Sequence, residues 1–518
     1  MKMKIKNKLY IAVLVLSSCL AVSCNDFLDE IPDNRAEVDS PEKIAKLLVS
    51  GYPATSYAFM AEMSSDNTDV LEQNVEYTEF QRELFHWSDI TTIDQDTPFS
   101  LWANSYNAIA SANMALKAIE ELGDTPNLAP QKGEALLCRA YSHFNLVNIF
   151  CMHYGNNSST DIGIPYITEL ETTVKPEYER GTVAEVYAKI NADIEAGLPL
   201  VNDANYDAPK YHFNKKAAYA FAARFNLYYG KYDQVIKYAN LLLGENPAPM
   251  LMNWAELGTL TPNENVQPNY FVATSNQASL MLISTDSSWP IYHGPFMAGR
   301  KYGHNQVLYQ TETTGATTPW GNLTTTINQL PFINNELGRV PTRKMGYYME
   351  YIDPVAGTGY YKMMYPAFVT DETLLCRAEA YIMTGEYDKA VEDMNTFMRG
   401  FSRAPYISRS TITAFYDSMP YYTSDAPTTK KQLNPDFNIA SVEEENLIHA
   451  VLMLRRVLTI HEGLRWFDIK RYGIEISRRS ISVNANPTVL DILEKDDLRR
   501  ALQIPSDVIS AGMTPNPR

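Results

Sequence analysis

Ala223-Arg-Phe-Asn-Leu-Tyr-Tyr-Gly230-Lys-Tyr-Asp-Gln-Val-Ile236 and Ala378-Glu-Ala-Tyr-Ile-Met-Thr-Gly385-Glu-Tyr-Asp-Lys-Ala-Val391 decide how this chain is read. Aligning Gly230 with Gly385 pairs Tyr232 with Tyr387 and Asp233 with Asp388. In each, small and apolar residues pack one helix, and a glycine ends it where a left-handed residue is needed. A second helix then follows the Gly-x-Tyr-Asp corner.

The spacing is that of a tetratricopeptide helix–turn–helix, although the two copies stand far apart rather than in a regular array. More helices flank them. Ser40-Pro41 opens one as cap and first-turn proline. Leu101–Leu122 and Gly133–Phe150 keep the helical apolar period, and Thr182-Val183-Ala184-Glu185 is a capping box. Between the two copies lies a long excursion, about 244–366. Within it, residues 268–335 carry only four charges in 68 positions, Asp286, Arg300, Lys301 and Glu312. Thr, Asn, Gln, Gly and aromatics replace them, and runs such as Ser279–Ile283 suggest a few strands. Such a stretch in a helical scaffold reads as a functional excursion.

Residues 1–23 read as an export signal. Lys2, Lys4, Lys6 and Lys8 precede an apolar run from Leu9 to Leu16, then small residues ending in cysteine. The run is too short to span a bilayer. Cys24 is the expected site of lipid attachment, with Cys19 as the alternative, so the membrane would be reached through a lipid anchor. Cys138, Cys151 and Cys376 sit in apolar helical stretches and read as small buried hydrophobes. The chain carries 61 acidic against 44 basic residues, a net charge of −17. That balance argues against a nucleic-acid partner.

In order along the chain, the motifs resemble those of the SusD/RagB family of outer-membrane nutrient-binding lipoproteins. Cys24-Asn-Asp-Phe-Leu-Asp29 resembles the family's mature N-terminus, and Trp102–Tyr106–Ile109–Asn113 one of its helices. Gly133-Glu-Ala through Arg139-Ala-Tyr, Gly163-Ile-Pro165 and Val186-Tyr187 to Asp193-Ile194 continue the match. Glu462-Gly-Leu-Arg-Trp-Phe-Asp-Ile-Lys-Arg-Tyr-Gly473 is its most specific element. The resemblance implies a mainly α fold: a tetratricopeptide-like helical superhelix, about 40–243 and 367–475 of a 24–518 domain. A large irregular, partly β insertion would carry the ligand surface. It further implies a lipid-anchored surface protein that captures oligosaccharides, or in some members peptides. The partner would be a SusC-like TonB-dependent outer-membrane transporter, and no catalysis is implied.

The residues agree with a binder. None of the eight histidines has a metal-ligand spacing, and the sequence holds no P-loop, dinucleotide fingerprint or Gly-x-Ser-x-Gly elbow. No catalytic residue, metal or cofactor is therefore expected. Glycosidase carboxylates have no fixed spacing, so a secreted glycoside hydrolase stays the alternative from another class. Glu462, Arg465, Asp468 and Arg471 stand at steps of three and read as a structural polar stripe. Trp102 and Trp466 read as core. Trp87, Trp289 and Trp320 lie in polar, irregular stretches and are the expected sugar platforms, because an indole face packs on a pyranose. Tyr292, Tyr302 and Tyr309 share that region, and Asn67, with Asp66 and Asn74, would supply hydrogen bonds. The shortage of charge favours a neutral oligosaccharide.

Overall fold

The two quoted turns form as read, and they form for a backbone reason. Gly230 and Gly385 have φ of 72° and 77°, the left-handed region that closes a helix and that glycine enters without a Cβ clash. Each ends one helix (Lys215–Tyr228, Thr370–Met383) and precedes another (Tyr232–Leu243, Tyr387–Ser402). The two hairpins pack on each other, Tyr232–Leu243 lying against Thr370–Met383. Arg377 joins them: it holds Asp393 through Nε and Nη2 at 2.8 and 2.7 Å, and its Nη1 donates to Asn240 at 2.8 Å. Two sequence-distant repeats are thus neighbours in one stack, and the 244–366 excursion leaves and returns between them.

The structure is a computed structural model that describes residues 38–170, 178–294, 299–323, 330–482 and 486–518. The signal and both candidate lipidation cysteines, Cys24 and Cys19, lie outside the described residues. Pro41–Arg518 is one compact unit; the other, Met1–Ser40, is almost wholly undescribed.

Upstream, Ala129–Phe150 packs between Pro98–Glu121 and Val183–Gly197. The Thr182 capping box is present in both directions: Glu185 N–H donates to Thr182 Oγ1, and Thr182 N–H to the Glu185 carboxylate. Arg139 and Asp193 close the helix pair with two bonds of 2.7 and 2.6 Å. Cys138, Cys151 and Cys376 are free and buried, as expected of small apolar fillers.

The excursion supplies most of the β structure. β2 (Ser279–Asp286), β6 (Tyr347–Asp353) and β7 (Thr358–Val369) form an antiparallel sheet ordered β2-β7-β6. β7 runs straight into the Thr370–Met383 helix, so the sheet hangs rigidly from the repeat stack. A second sheet, β3-β1-β8-β9, joins β1 (Asp69–Leu71) and β3 (Tyr302–Gly303) to C-terminal β8 (Ile476–Ile481) and β9 (Thr488–Leu493), while β4 (Thr317–Thr318) and β5 (Gly321–Asn322) pair with each other. Among the described residues no helix is long and apolar enough to cross a membrane.

Candidate ligand-binding groove

The expected platforms do not stand open. Trp289 is 3% exposed; its Nε1 donates to the His461 carbonyl at 2.8 Å, and its ring lies 4.7 Å from Phe59 and 4.6 Å from His293. Trp320 is buried with Nε1 on Asn395 Oδ1 at 2.8 Å, pinning the excursion to the Tyr387–Ser402 helix. Trp87 is buried too, with Nε1 on the Ser64 carbonyl at 3.0 Å and the Arg478 guanidinium 4.1 Å from the ring. It borders an open, charged recess together with Ser88, Asp89 and Arg499. Each indole N–H has found a carbonyl or amide partner, as a buried indole requires. Loop-like sequence around a tryptophan therefore marked irregular backbone, not exposure.

Asn67 is likewise interior: it donates to Glu62 at 2.9 Å and accepts from Arg456 Nε at 2.8 Å. Asp66 pairs with Arg465, and Asn74 bonds the Arg300 and Leu337 carbonyls. Tyr302 is buried. Tyr292 and Tyr309 are half-buried; the Arg300 guanidinium lies 4.8 Å from the Tyr292 ring, and burial raises the Tyr309 phenol. The charge-poor stretch is charge-poor largely because it is interior, and its acid Glu312 is buried among cations. Burial alone would raise the Glu312 carboxyl, but Lys431, Arg479 and Arg456 hold it at about 2.

The Glu462–Arg471 charges are ion-paired, but of the expected stripe only Asp468 and Arg471 pair with each other: Arg465 reaches Asp66, and Glu462 stands before the Leu464–Arg471 helix. Arg471 bonds Asp468 at 2.7 Å one turn back, while Arg455 grips the same carboxylate at 2.9 and 3.1 Å. Glu462 meets Lys344 instead of a helix neighbour.

An open surface of suitable chemistry lies elsewhere. A groove of about 440 Å3 runs between the short turn Val49–Gly51, the Pro98–Glu121 helix, Tyr211 and β2. Its lining is Val49, Ser50, Tyr52, Ala54, Asn104, Asn107, Ala108, Ser111, Tyr211 and β2 residues Leu282, Ile283 and Ser284. None of these is charged. Asn104, Asn107 and Ser111 share the groove because steps of three and four fall on one helix face. Asn104 Nδ2 is held by Thr55 Oγ1 and the Ser100 carbonyl, both at 2.9 Å, which fixes how its amide faces the groove.

The back wall is anchored. Tyr52 donates to Glu134 at 2.7 Å, accepts from Phe213 N–H at 2.7 Å and stacks on the Phe213 ring at 5.8 Å. Burial, with Cys138 and Glu134 beside it, pushes the Tyr52 phenol well above its ordinary range and keeps it a neutral donor. Asp286 N–H on the Ala54 carbonyl at 2.8 Å ties one wall to the other.

At one end the groove opens onto the outer face of the β2-β7-β6 sheet. Ser284 Oγ and Tyr348 Oη are 2.6 Å apart, so the Tyr348 ring extends the groove. Tyr211, Tyr348 and Tyr360 are 41%, 43% and 56% exposed. The charges beside them satisfy one another: Lys362 bridges Asp286 at 2.8 Å and Glu350 at 2.9 Å. The groove missed by sequence reasoning had one signal, the abundance of tyrosine, which by itself has no address in the fold.

The stacked helical-repeat scaffold thus carries an uncharged, tyrosine-edged groove. Residues 26–227 resemble the SusD-like family in sequence, and the fold resembles that of SusD superfamily structures over nearly the whole chain. Residues 26–227 match the family model SusD-like_3, described as starch-binding associating with outer membrane. A putative sugar binding protein from Bacteroides vulgatus ATCC 8482 superposes with a TM-score of 0.67 at 19% identity, over 93% of this chain and 99% of that one. A SusD superfamily protein from Bacteroides thetaiotaomicron VPI-5482 gives 0.61 at 17% identity, over 92% and 100%. One from Bacteroides fragilis gives 0.62 at 18%, over 92% and 98%. No curated protein matches the chain.

Proposed function

We propose that this protein is a glycan-binding lipoprotein of the outer-membrane surface. It captures neutral oligosaccharides and delivers them to a SusC-like TonB-dependent transporter. It is held to the membrane by lipid on Cys24, or on Cys19, and it carries out no chemistry on its ligand. The observation that carries the reading is the groove with no charged lining residue, edged by exposed tyrosines and furnished with Asn and Ser. Tyrosine faces take the apolar face of a sugar ring, and amides and hydroxyls match its hydroxyl groups. An anionic glycan would call for a basic cluster, which this groove lacks. The SusD-like signature supports the same reading.

Affinity electrophoresis against soluble neutral and anionic polysaccharides tests it, with calorimetry on oligosaccharides. Retardation by a neutral glycan without product release is expected. Release of shorter products would replace the reading with a hydrolase. Silence across glycans with binding of peptides would replace it with a peptide carrier on the same fold.

A further inference from the structure

The turn that decided the fold also borders a second opening. A cleft of about 440 Å3 lies between the Gly230 turn, the loop after Ala129–Phe150 and residues Asp436–Phe437. It shares no lining residue with the groove. Tyr154, Tyr229, Tyr232 and Phe437 line it half-buried. Tyr154 and Tyr229 meet edge to face, 4.7 Å apart at 80°, which fixes both rings.

One carboxylate is held at its mouth. Asn156 N–H donates to Asp436 Oδ2 and Asn156 Nδ2 to the Asp436 carbonyl, both at 3.1 Å. Lys495 Nζ stands 3.0 Å from Oδ1, and His153 Nε2 3.4 Å from Oδ2. These neighbours, His153 first, hold the Asp436 carboxyl well below its ordinary range. Gly155 makes the close approach possible, since a Cβ there would stand 2.3 Å from Asp436 Oδ2. Two further lining residues, Tyr228 and Arg471, carry a hydroxyl and an Nε that are buried without a hydrogen-bond partner among the described residues.

We propose that this cleft is a second carbohydrate pocket, holding one or two sugar units of a chain end. The inference rests on the glycan-binding reading and adds a site to it. The rings take the apolar sugar face, and the fixed Asp436 carboxylate accepts from hydroxyls in charge-assisted bonds. The volume falls within the roughly 300–1,000 Å3 of small-ligand pockets. One wall of the cleft, at Tyr228 to Tyr232, is built on the repeat hairpin. Two sites on one chain would raise retention of a long glycan through effective concentration.

Calorimetry of the full chain with neutral oligosaccharides and methyl glycosides tests this, on wild type, Asn156→Ala, Tyr232→Ala and the groove variant Tyr348→Ala. Two sites are expected in wild type. Each cleft variant should lose one of them at least tenfold and keep the other, with Tyr348→Ala doing the converse. Asn156 is exposed, so that variant reads binding even if Tyr232→Ala lowers the melting temperature. Cleft variants that titrate like wild type overturn the second pocket and leave the groove standing. Loss of all binding in Tyr348→Ala also overturns it. Wild type that binds no glycan overturns the underlying reading itself.

Discussion

Arg465 and Asp66, 399 positions apart, meet in a two-pronged pair with both N–O distances 2.8 Å. Arg465 opens the Leu464–Arg471 helix and Asp66 lies in the first loop, so the pair fastens one end of the chain to the other. Arg456 adds to it at 3.4 Å and Lys431 at 3.6 Å. Burial alone would raise the Asp66 carboxyl, but Arg456 and Arg465 outweigh it and hold it well below the usual range.

Removing this carboxylate leaves buried cations uncompensated, the expensive way to break such a network. Asp66→Asn is expected to cost about 3 kcal/mol. Urea denaturation checks it; a loss under about 0.5 kcal/mol, the range of ordinary surface changes, would contradict it.

Asp96 makes the stability depend on pH. Burial outweighs the hydrogen bonds from Ser287 and Ser288 and pushes Asp96 up to about 6. The folded state therefore keeps a proton that the unfolded chain releases near 3.9. The stabilisation is full below about pH 4 and is lost as pH rises through about 6. Asp96→Asn should flatten the stability curve in that window, by about 2–3 kcal/mol of relative change. Denaturation midpoints at pH 4, 5, 6 and 7 measure it, and parallel curves for the two proteins would refute it.

Trp289→Ala and Trp320→Ala should act on stability, not on ligand contact. Each removes a buried ring and a hydrogen bond, and about 3–5 kcal/mol is expected. Thermal melts decide; variants that melt like wild type yet lose sugar affinity would return these indoles to the binding surface.

Tyr211→Ala and Tyr348→Ala should behave the opposite way, losing roughly tenfold or more in glycan affinity, since one ring stack is worth about 1–2 kcal/mol. Their melting temperatures should stay within about 2 °C, because exposed rings bury little area. Unchanged affinity in both would remove the groove from consideration.

Gly385→Ala isolates backbone strain. A Cβ there meets nothing within 4 Å, so only the φ of 77° resists it. About 1–2 kcal/mol is expected by chemical denaturation. An unchanged midpoint would show that the turn relaxes.

What could be read from the residues was local. Caps, glycine corners and apolar periods depend on neighbours a few positions away, and Thr182–Glu185, Gly230 and Gly385 formed as their spacing predicts. The same holds for the family resemblance, since the order of motifs is a one-dimensional property. The fate of the aromatic residues was not local. Trp289 and Tyr348 both sit in the excursion, yet one meets Phe59 and His461 while the other meets Ser284 on an open sheet face.

Sequence alone determined a helical-repeat scaffold interrupted by one long excursion, because helix formation and its stop signals act over single turns. Only tertiary structure decided which rings face water and where a groove opens. Its walls come from segments at 49–54, 104–111, 211 and 282–284, which share no local signal. Burial is a property of what packs against a residue, and that is settled when distant elements meet.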